Sequence, residues 1–175
     1  MRVLVAPDKF KGTLTASQAA RAIGVGWRRE RPEDEIDELP LADGGEGTLD
    51  TLVDALGGAV DSTTVTGPLG DPIEADYGIA PSPDGDELIG IVEMARASGL
   101  ELIAEARRNP LLATTRGTGE LILAAASHRP ASMIVCIGGS ATNDGGASMA
   151  QALGARLRSA DGTDIGPGGE ALLNL

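Results

Sequence analysis

The chain has 175 residues, of which 42% are hydrophobic and 23% are charged, as is typical of a globular protein. Its formal net charge of −12 repels phosphate backbones and anionic membranes, which excludes a broad basic surface for nucleic acid. The chain has one Phe, one Trp and one Tyr, so its core must be aliphatic. Any bound anion must therefore be held locally, by backbone N–H groups and a few cationic side chains.

Cysteine and histidine each occur once, which limits the available chemistry. Cys136 excludes a disulfide framework or a thiolate metal site, and His128 lies in a helix-ending turn that predicts a surface position. The apolar run at the N-terminus is too short for a signal peptide, and no segment approaches about 18 consecutive apolar residues. We expect a cytoplasmic protein without a membrane partner.

The first part of the chain predicts alternating strands and helices. Arg2–Ala6 is an apolar run typical of a buried strand, and Thr15–Gln18 has the form of a capping box, which predicts a helix as far as Arg29. Ile36–Leu41 predicts a second strand. Apolar residues at helical spacing predict a second helix over Thr48–Leu56. This order is typical of an α/β fold with a parallel sheet and covering helices.

Beyond Gly58 the pattern changes. Three strands with short connections are predicted, which favours antiparallel hairpins: Thr63–Thr66, Ile73–Ala80 and Leu88–Met94. They are followed by a predicted helix, a buried strand and another helix, at Thr118–Ser127, Met133–Ile137 and Ala147–Leu157. The last helix is expected to direct Met149, Leu153 and Leu157 inward. We place a domain boundary near Thr66–Gly70.

Three loops each lie between a predicted strand and a predicted helix: the lysine loop (Pro7–Gly12), the first glycine loop (Ala42–Gly47) and the second glycine loop (Gly138–Gly146). In open α/β sheets the carboxyl ends of the strands form the ligand crevice, and the following helix directs free N–H groups towards it. The loops therefore predict one shared binding site. The alternative is that their glycines serve backbone geometry alone.

The lysines and the second glycine loop indicate phosphate binding. Lys9 and Lys11 are the only lysines and share one loop, and a compact ammonium suits a phosphoryl oxygen or a small carboxylate. The alternative is two solvated lysines that fall together by chance. The second glycine loop interleaves glycines with Ser, Thr, Asn and Asp, so its backbone N–H groups could bind phosphate. No Gly–Lys dipeptide occurs, which excludes a P-loop.

Six segments carry a family resemblance, in order along the chain: Val5–Leu14, Ala42–Thr48, Val65–Gly70, Val92–Leu100, Thr114–Ile122 and Ile137–Gly146. In them the chain resembles the bacterial glycerate kinase family. The resemblance implies transfer of the γ-phosphoryl group of ATP to D-glycerate, giving 2-phosphoglycerate or 3-phosphoglycerate. It also implies two α/β domains with the active site between them.

The resemblance covers only the N-terminal half of that family. Two parallel strands cannot cover themselves, which favours a truncated glycerate-kinase-like architecture. Residues 1–68 would begin a Rossmann-like α/β domain that a missing C-terminal half completes. Residues 69–175 would belong to a second, inserted α/β domain.

We predict the following site, with ATP and Mg²⁺ as cofactors. The triphosphate would contact Gly138, Gly139, Ser140, Thr142, Asn143, Asp144 and Gly145. Asp144 would also bind Mg²⁺, because hard cations prefer carboxylate oxygen. Lys9 and Lys11 would neutralise the phosphoryl group or the glycerate carboxylate, and Asp8 or Asp43 would accept the hydroxyl proton. Further substrate contacts are predicted at Gly44, Gly45, Thr115 and Arg116, with Arg116 as a forked ligand of the carboxylate.

Two other functions remain open at this point. One is a phosphatase or isomerase of phosphorylated sugars or acids, which would bind its substrate without ATP. The other is an inactive fragment that binds a nucleotide or a small acid and releases no ADP.

Overall fold

The computed structural model describes residues Met1 to Leu175 and confirms the α/β class. The strands are β1 (Arg2–Val5), β2 (Glu35–Glu38), β3 (Ala59–Thr66), β4 (Pro72–Pro81), β5 (Leu88–Glu93) and β6 (Ser132–Cys136). The α-helices are α1 (Ala16–Glu30), α2 (Thr48–Leu56), α3 (Ala95–Ser98), α4 (Arg116–Ala126) and α5 (Ala147–Ala152). Short 3-10 helices occupy Leu100–Leu102, Glu105–Arg107 and Gly169–Asn174.

The first sheet consists of β1 and β2, which pair in parallel and are connected by α1. The predicted capping box is present, because Thr15 Oγ1 accepts the Gln18 N–H and Gln18 Oε1 accepts the Thr15 N–H. At the other end of α1 the indole of Trp27 donates a 2.9 Å hydrogen bond to Asp34. The predicted strand Ile36–Leu41 is shifted to Glu35–Glu38, since its pairing with β1 ends where Val5 meets Glu38.

The second sheet has the strand order β3-β4-β5-β6. Its first three strands are antiparallel, as their short connections predict, and β6 is parallel to β5 because the connection between them contains α4. Helix α4 covers one face through a cluster that includes Tyr77 and Leu121, while α2 covers the opposite face through Leu49 and Val53. A Cβ at Gly78 would lie 2.5 Å from Val53 Cγ2, so this glycine allows α2 to approach the sheet closely.

Helix α2 packs on the second sheet, although the sequence pattern associates it with the first two strands. Strand β3 also belongs to the second sheet, where it pairs with β4 from Ala59 to Thr66. The chain thus leaves the first sheet between the end of β2 at Glu38 and the start of α2 at Thr48, before the boundary that we place near Thr66–Gly70. The division into domains 1–68 and 69–175 stays a prediction.

Two predicted elements differ from the structure. Strand β6 lies at an edge of its sheet, so Ile134 and Val135 are more than one-third exposed rather than buried. Helix α5 ends at Ala152 instead of Leu157, because Gly154 takes the left-handed conformation with φ +99°, and Leu153 is 44% exposed. None of the helices is both long enough and apolar enough to cross a membrane.

Candidate active site

A cleft of about 630 Å³ brings two of the three predicted loops together. The lysine loop and the start of α1 form one side of the cleft. The rest is lined by the first glycine loop, the first turn of α2, the first half of β4, the end of β5, and residues of α3 and of the 3-10 helix that follows it. The two loops that line the cleft both follow strands of the first sheet, as the carboxyl-end rule for α/β sheets leads us to expect.

Lys9 and Asp43 form an ion pair beside the cleft. Lys9 Nζ lies 2.8 Å from Asp43 Oδ1, and the same oxygen accepts the Gly45 N–H at 2.9 Å. The hydrogen bond with Asp43 raises the pKa of Lys9, while the bonds from Lys9 and from the Gly45 N–H lower the pKa of Asp43. Both side chains are therefore charged at neutral pH, and Lys9 is only 18% exposed.

Asp8 and Lys11 also line the cleft, and neither is in an ion pair. Asp8 Oδ1 accepts the backbone N–H of Lys9 at 2.6 Å, which leaves its second carboxylate oxygen without a protein partner. Lys11 is exposed and makes no side-chain hydrogen bond. The cleft thus holds one engaged ammonium and one free ammonium.

The two glycine loops touch through their backbones. The Gly138 N–H donates a 2.7 Å hydrogen bond to the Gly44 carbonyl, and a Cβ at Gly138 would lie 2.6 Å from the Cα of Gly45. Gly139 has φ +72°, and a Cβ there would overlap the carboxylate of Glu46. Backbone geometry therefore accounts for these two glycines of the second loop, as the alternative interpretation holds.

The second glycine loop nevertheless offers free amides. Its hydrogen-bonded amides are those of Gly138, Ala141, Thr142 and Gly146. No protein acceptor lies within hydrogen-bond reach of the amides of Gly139, Ser140, Asn143, Asp144 and Gly145. Unpaired backbone N–H groups in a glycine-rich turn are suited to an anion, which keeps the predicted phosphate site open.

Asp144 has a different environment from the one predicted. It is 1% exposed, and one of its oxygens accepts the N–H and the hydroxyl of Thr115, both at 2.9 Å, while the other accepts the Gly146 N–H. The Ser148 N–H approaches at 3.4 Å. No group of three His, Cys, Asp or Glu side chains could hold a metal ion. The residues present do not fit a Mg²⁺ site at Asp144, because its carboxylate already binds these donors.

Thr115 and Arg116 lie away from the cleft. Thr115 is 2% exposed and contacts Asp144, and Arg116 pairs with Glu120 at 3.0 Å. The structure therefore gives no support to their predicted contacts with substrate. Gly44 and Gly45 lie beside the Lys9–Asp43 pair, as expected.

Sequence reasoning missed Glu93 and Arg96, which line the floor of the cleft. The Glu93 carboxylate is 1% exposed and accepts the Leu49 N–H at 2.9 Å, and burial raises its pKa. Arg96 pairs with Asp50 at 2.6 Å. The signal that could have found Glu93 is its position at the carboxyl end of an apolar strand, the same rule that identifies the loops.

We expected the N-termini of the helices that follow the loops to direct free N–H groups at a ligand. The contacts of Glu93 and Asp144 show that this expectation is wrong for α2 and α5. Glu93 accepts an N–H from the first turn of α2, and Asp144 accepts N–H groups at the start of α5. Both helix ends are therefore neutralised by carboxylates of the chain itself. The amides left for an anion belong to the loop that precedes α5.

Comparison with known proteins places this chain in a family. A model of the "Glycerate kinase family" matches residues 3–175. The chain is 51% identical to the glycerate kinase of Bacillus subtilis (strain 168) and 49% identical to the glycerate 2-kinase of Escherichia coli (strain K12), each over 175 residues. These alignments cover 100% of this chain and 45% of either relative.

A solved structure also matches this chain. A crystal structure from Salmonella typhimurium LT2, assigned as glycerate kinase 2, matches with a TM-score of 0.81 and 49% identity. The match covers 100% of this chain and 46% of that one. The chain thus spans about half the length of the relatives it matches, and it belongs to the glycerate kinase family.

Proposed function

We propose that this chain carries part of the active site of a kinase that transfers the γ-phosphoryl group of ATP to D-glycerate. The product would be 2-phosphoglycerate or 3-phosphoglycerate. The observation that carries the proposal is the convergence of Lys9, Asp43 and Gly45 beside one cleft in a member of the glycerate kinase family. Phosphoryl transfer depends mainly on positioning and on neutralising charge, which these groups supply.

The two lysines have different tasks in this proposal. Lys11 is free to bind an incoming phosphoryl or carboxylate oxygen. Lys9 is held by Asp43, so its ammonium has a fixed place before the substrate arrives. A preorganised charge neutralises a transition state without a cost of reorganisation.

Asp8 is the better candidate for the general base. The bonds from Lys9 and Gly45 lower the pKa of Asp43, which makes that carboxylate a poor proton acceptor. Asp8 has an unpartnered oxygen in the cleft and can accept the proton of the glycerate hydroxyl. Asp43 then serves to hold Lys9.

The phosphates of ATP would bind the free amides of the second glycine loop. This loop contacts the first glycine loop at Gly138, so bound phosphates would lie beside the Lys9–Asp43 pair. We assign no step to Mg²⁺, since Asp144 is engaged by its donors and no three His, Cys, Asp or Glu side chains are grouped so that they could hold the ion.

The test uses a hybrid enzyme in which residues 1–175 replace the matching 45% of the Escherichia coli glycerate 2-kinase. With ATP and D-glycerate it should release ADP, and phosphorus NMR identifies which phosphoglycerate forms. The unaltered Escherichia coli protein is the positive control. A folded hybrid that binds ATP without releasing ADP would favour the binding-module alternative. Release of phosphate from phosphoglycerate without any nucleotide would favour a phosphatase.

A further inference from the structure

Glu93 is a buried carboxylate that the proposed reaction leaves without a role. It ends β5 on the floor of the cleft, and its Oε2 accepts the N–H of Leu49, which is itself 0% exposed. The contact joins the second sheet to the first turn of α2. A buried acceptor that holds a buried N–H is costly to remove, because the N–H would be left without a partner.

Arg96 connects Glu93 to its surroundings. Its Nε lies 3.5 Å from Glu93, while the two Nη atoms lie 2.6 Å from Asp50 and 3.3 Å from Asp76. These carboxylates belong to β5, α2 and β4, so one guanidinium links three elements around the cleft. Since three carboxylates already surround it, Arg96 is a poor binding group for an anionic substrate.

A continuous set of hydrogen bonds leads from α2 to Lys9. The Thr48 N–H donates to the Gly45 carbonyl, and Thr48 Oγ1 accepts the Gly44 N–H, both at 3.1 Å. The Gly45 N–H then donates to Asp43 Oδ1, which also accepts from Lys9 Nζ. The position of the first turn of α2 therefore sets the position of the carboxylate that holds Lys9.

We propose that Glu93, supported by Arg96, is a positioning residue of the active site. It fixes the first turn of α2 and thereby keeps the first glycine loop in the arrangement that presents Asp43 to Lys9. The inference rests on the proposed function for the importance of Lys9. The contact that Glu93 controls can be measured without turnover, so failure of one proposal is distinguishable from failure of the other.

The experiment uses the fact that the chain has only two lysines. Protein labelled with carbon-13 at lysine Cε gives two side-chain signals, and the Lys9→Arg variant identifies the signal of Lys9. In Glu93→Ala we expect the titration midpoint of Lys9 to fall by about half a pH unit or more, because its ion pair with Asp43 loosens. Glu93→Gln retains an acceptor for the Leu49 N–H. Its Lys9 midpoint should therefore lie close to that of the unaltered protein.

Three further variants make the result decisive. Arg96→Gln should also lower the Lys9 midpoint. If Glu93→Ala does not fold, this variant serves as the test of the proposal. Val65→Ala lowers stability in the core under α4, and Asp54→Asn removes an exposed carboxylate of α2 that does not contact Arg96; both should leave the Lys9 midpoint unchanged. An unchanged Lys9 midpoint in folded Glu93→Ala, or in Arg96→Gln when Glu93→Ala is unfolded, overturns the proposal.

Discussion

The backbone N–H of Gly138 donates a 2.7 Å hydrogen bond to the carbonyl oxygen of Gly44, and this bond joins the two glycine loops. A Cβ at Gly138 would lie 2.6 Å from both the Cα and the N of Gly45. The loops can meet in this way only if position 138 has no side chain. The unpaired amides of the second glycine loop and the lysine-bearing cleft are neighbours because of this contact.

We expect Gly138→Ala to separate the loops and to lower the free energy of unfolding by about 1–3 kcal/mol, the usual cost of overpacking. Urea unfolding measures this change. Gly26→Ala is the matched control, since a Cβ at Gly26 meets nothing within 4 Å and alanine favours the helix. Equal stability of Gly138→Ala and the unaltered protein would show that the contact is not essential.

Lys9→Met and Lys11→Met should each lower kcat/KM of the hybrid enzyme by about 100-fold, because each removes a charge that acts on the reacting groups. Circular dichroism checks that both variants fold. Arg21→Met, an exposed change on α1 at a residue that does not line the cleft, should leave the rate unchanged. If both lysine variants keep the full rate, the catalytic assignment is wrong.

Asp144→Asn should weaken nucleotide binding by the same factor with and without Mg²⁺. The substitution disturbs the buried bonds to Thr115 and to Gly146, which shape the second glycine loop, and we expect it to cost roughly 1–3 kcal/mol of stability. Isothermal titration with ATP gives both affinities. Asp161→Asn is the control on an exposed loop. A loss of affinity confined to the Mg²⁺ titration would restore the metal role that the sequence predicts for Asp144.

The Lys9–Asp43 ion pair makes a pH-dependent contribution to stability. The pKa of Asp43 is lowered from 3.8, so its contribution is fully present above that value and disappears as the pH falls through the lower pKa of the folded state. The pKa of Lys9 is raised from 10.5, so its contribution is present below that value and disappears as the pH rises through the higher pKa of the folded state.

Asp43→Asn should therefore reduce stability between these limits and converge with the unaltered protein in acid and in alkali. Urea unfolding at a series of pH values measures the difference, and Asp54→Asn provides an exposed carboxylate on α2 for comparison. A difference that stays constant into acid would show that the effect of Asp43→Asn does not come from the charge.

Local patterns in the sequence predict the elements well and their partners poorly. The capping box at Thr15 and the apolar spacing of Thr48–Leu56 identify α1 and α2, because both signals lie within a few residues. Periodicity shows which face of α2 is apolar but not which sheet covers it, and that sheet is the second one. For the same reason, periodicity alone does not show where the chain passes from the first sheet to the second.

Some features of the candidate site could be predicted from the sequence and others could not. The loops, Lys9 and Asp43 follow from the rule that strands end at the ligand crevice, and the structure brings them together. The partners of Asp144 and Glu93 are set by contacts between distant segments, such as the bond from Leu49 to Glu93. No spacing in the sequence indicates whether a buried carboxylate will meet a metal ion or a backbone N–H.

The aromatic side chains lie in different parts of this fold. Trp27 ends α1 beside the small parallel sheet, with its indole bonded to Asp34, whereas Tyr77 is buried under α4 in the larger sheet. Fluorescence of the indole therefore follows the region around β1 and β2, and absorbance of the phenol follows the four-stranded sheet. Coincident transitions from the two chromophores during unfolding would identify the sheets as one cooperative unit, and separate transitions as two.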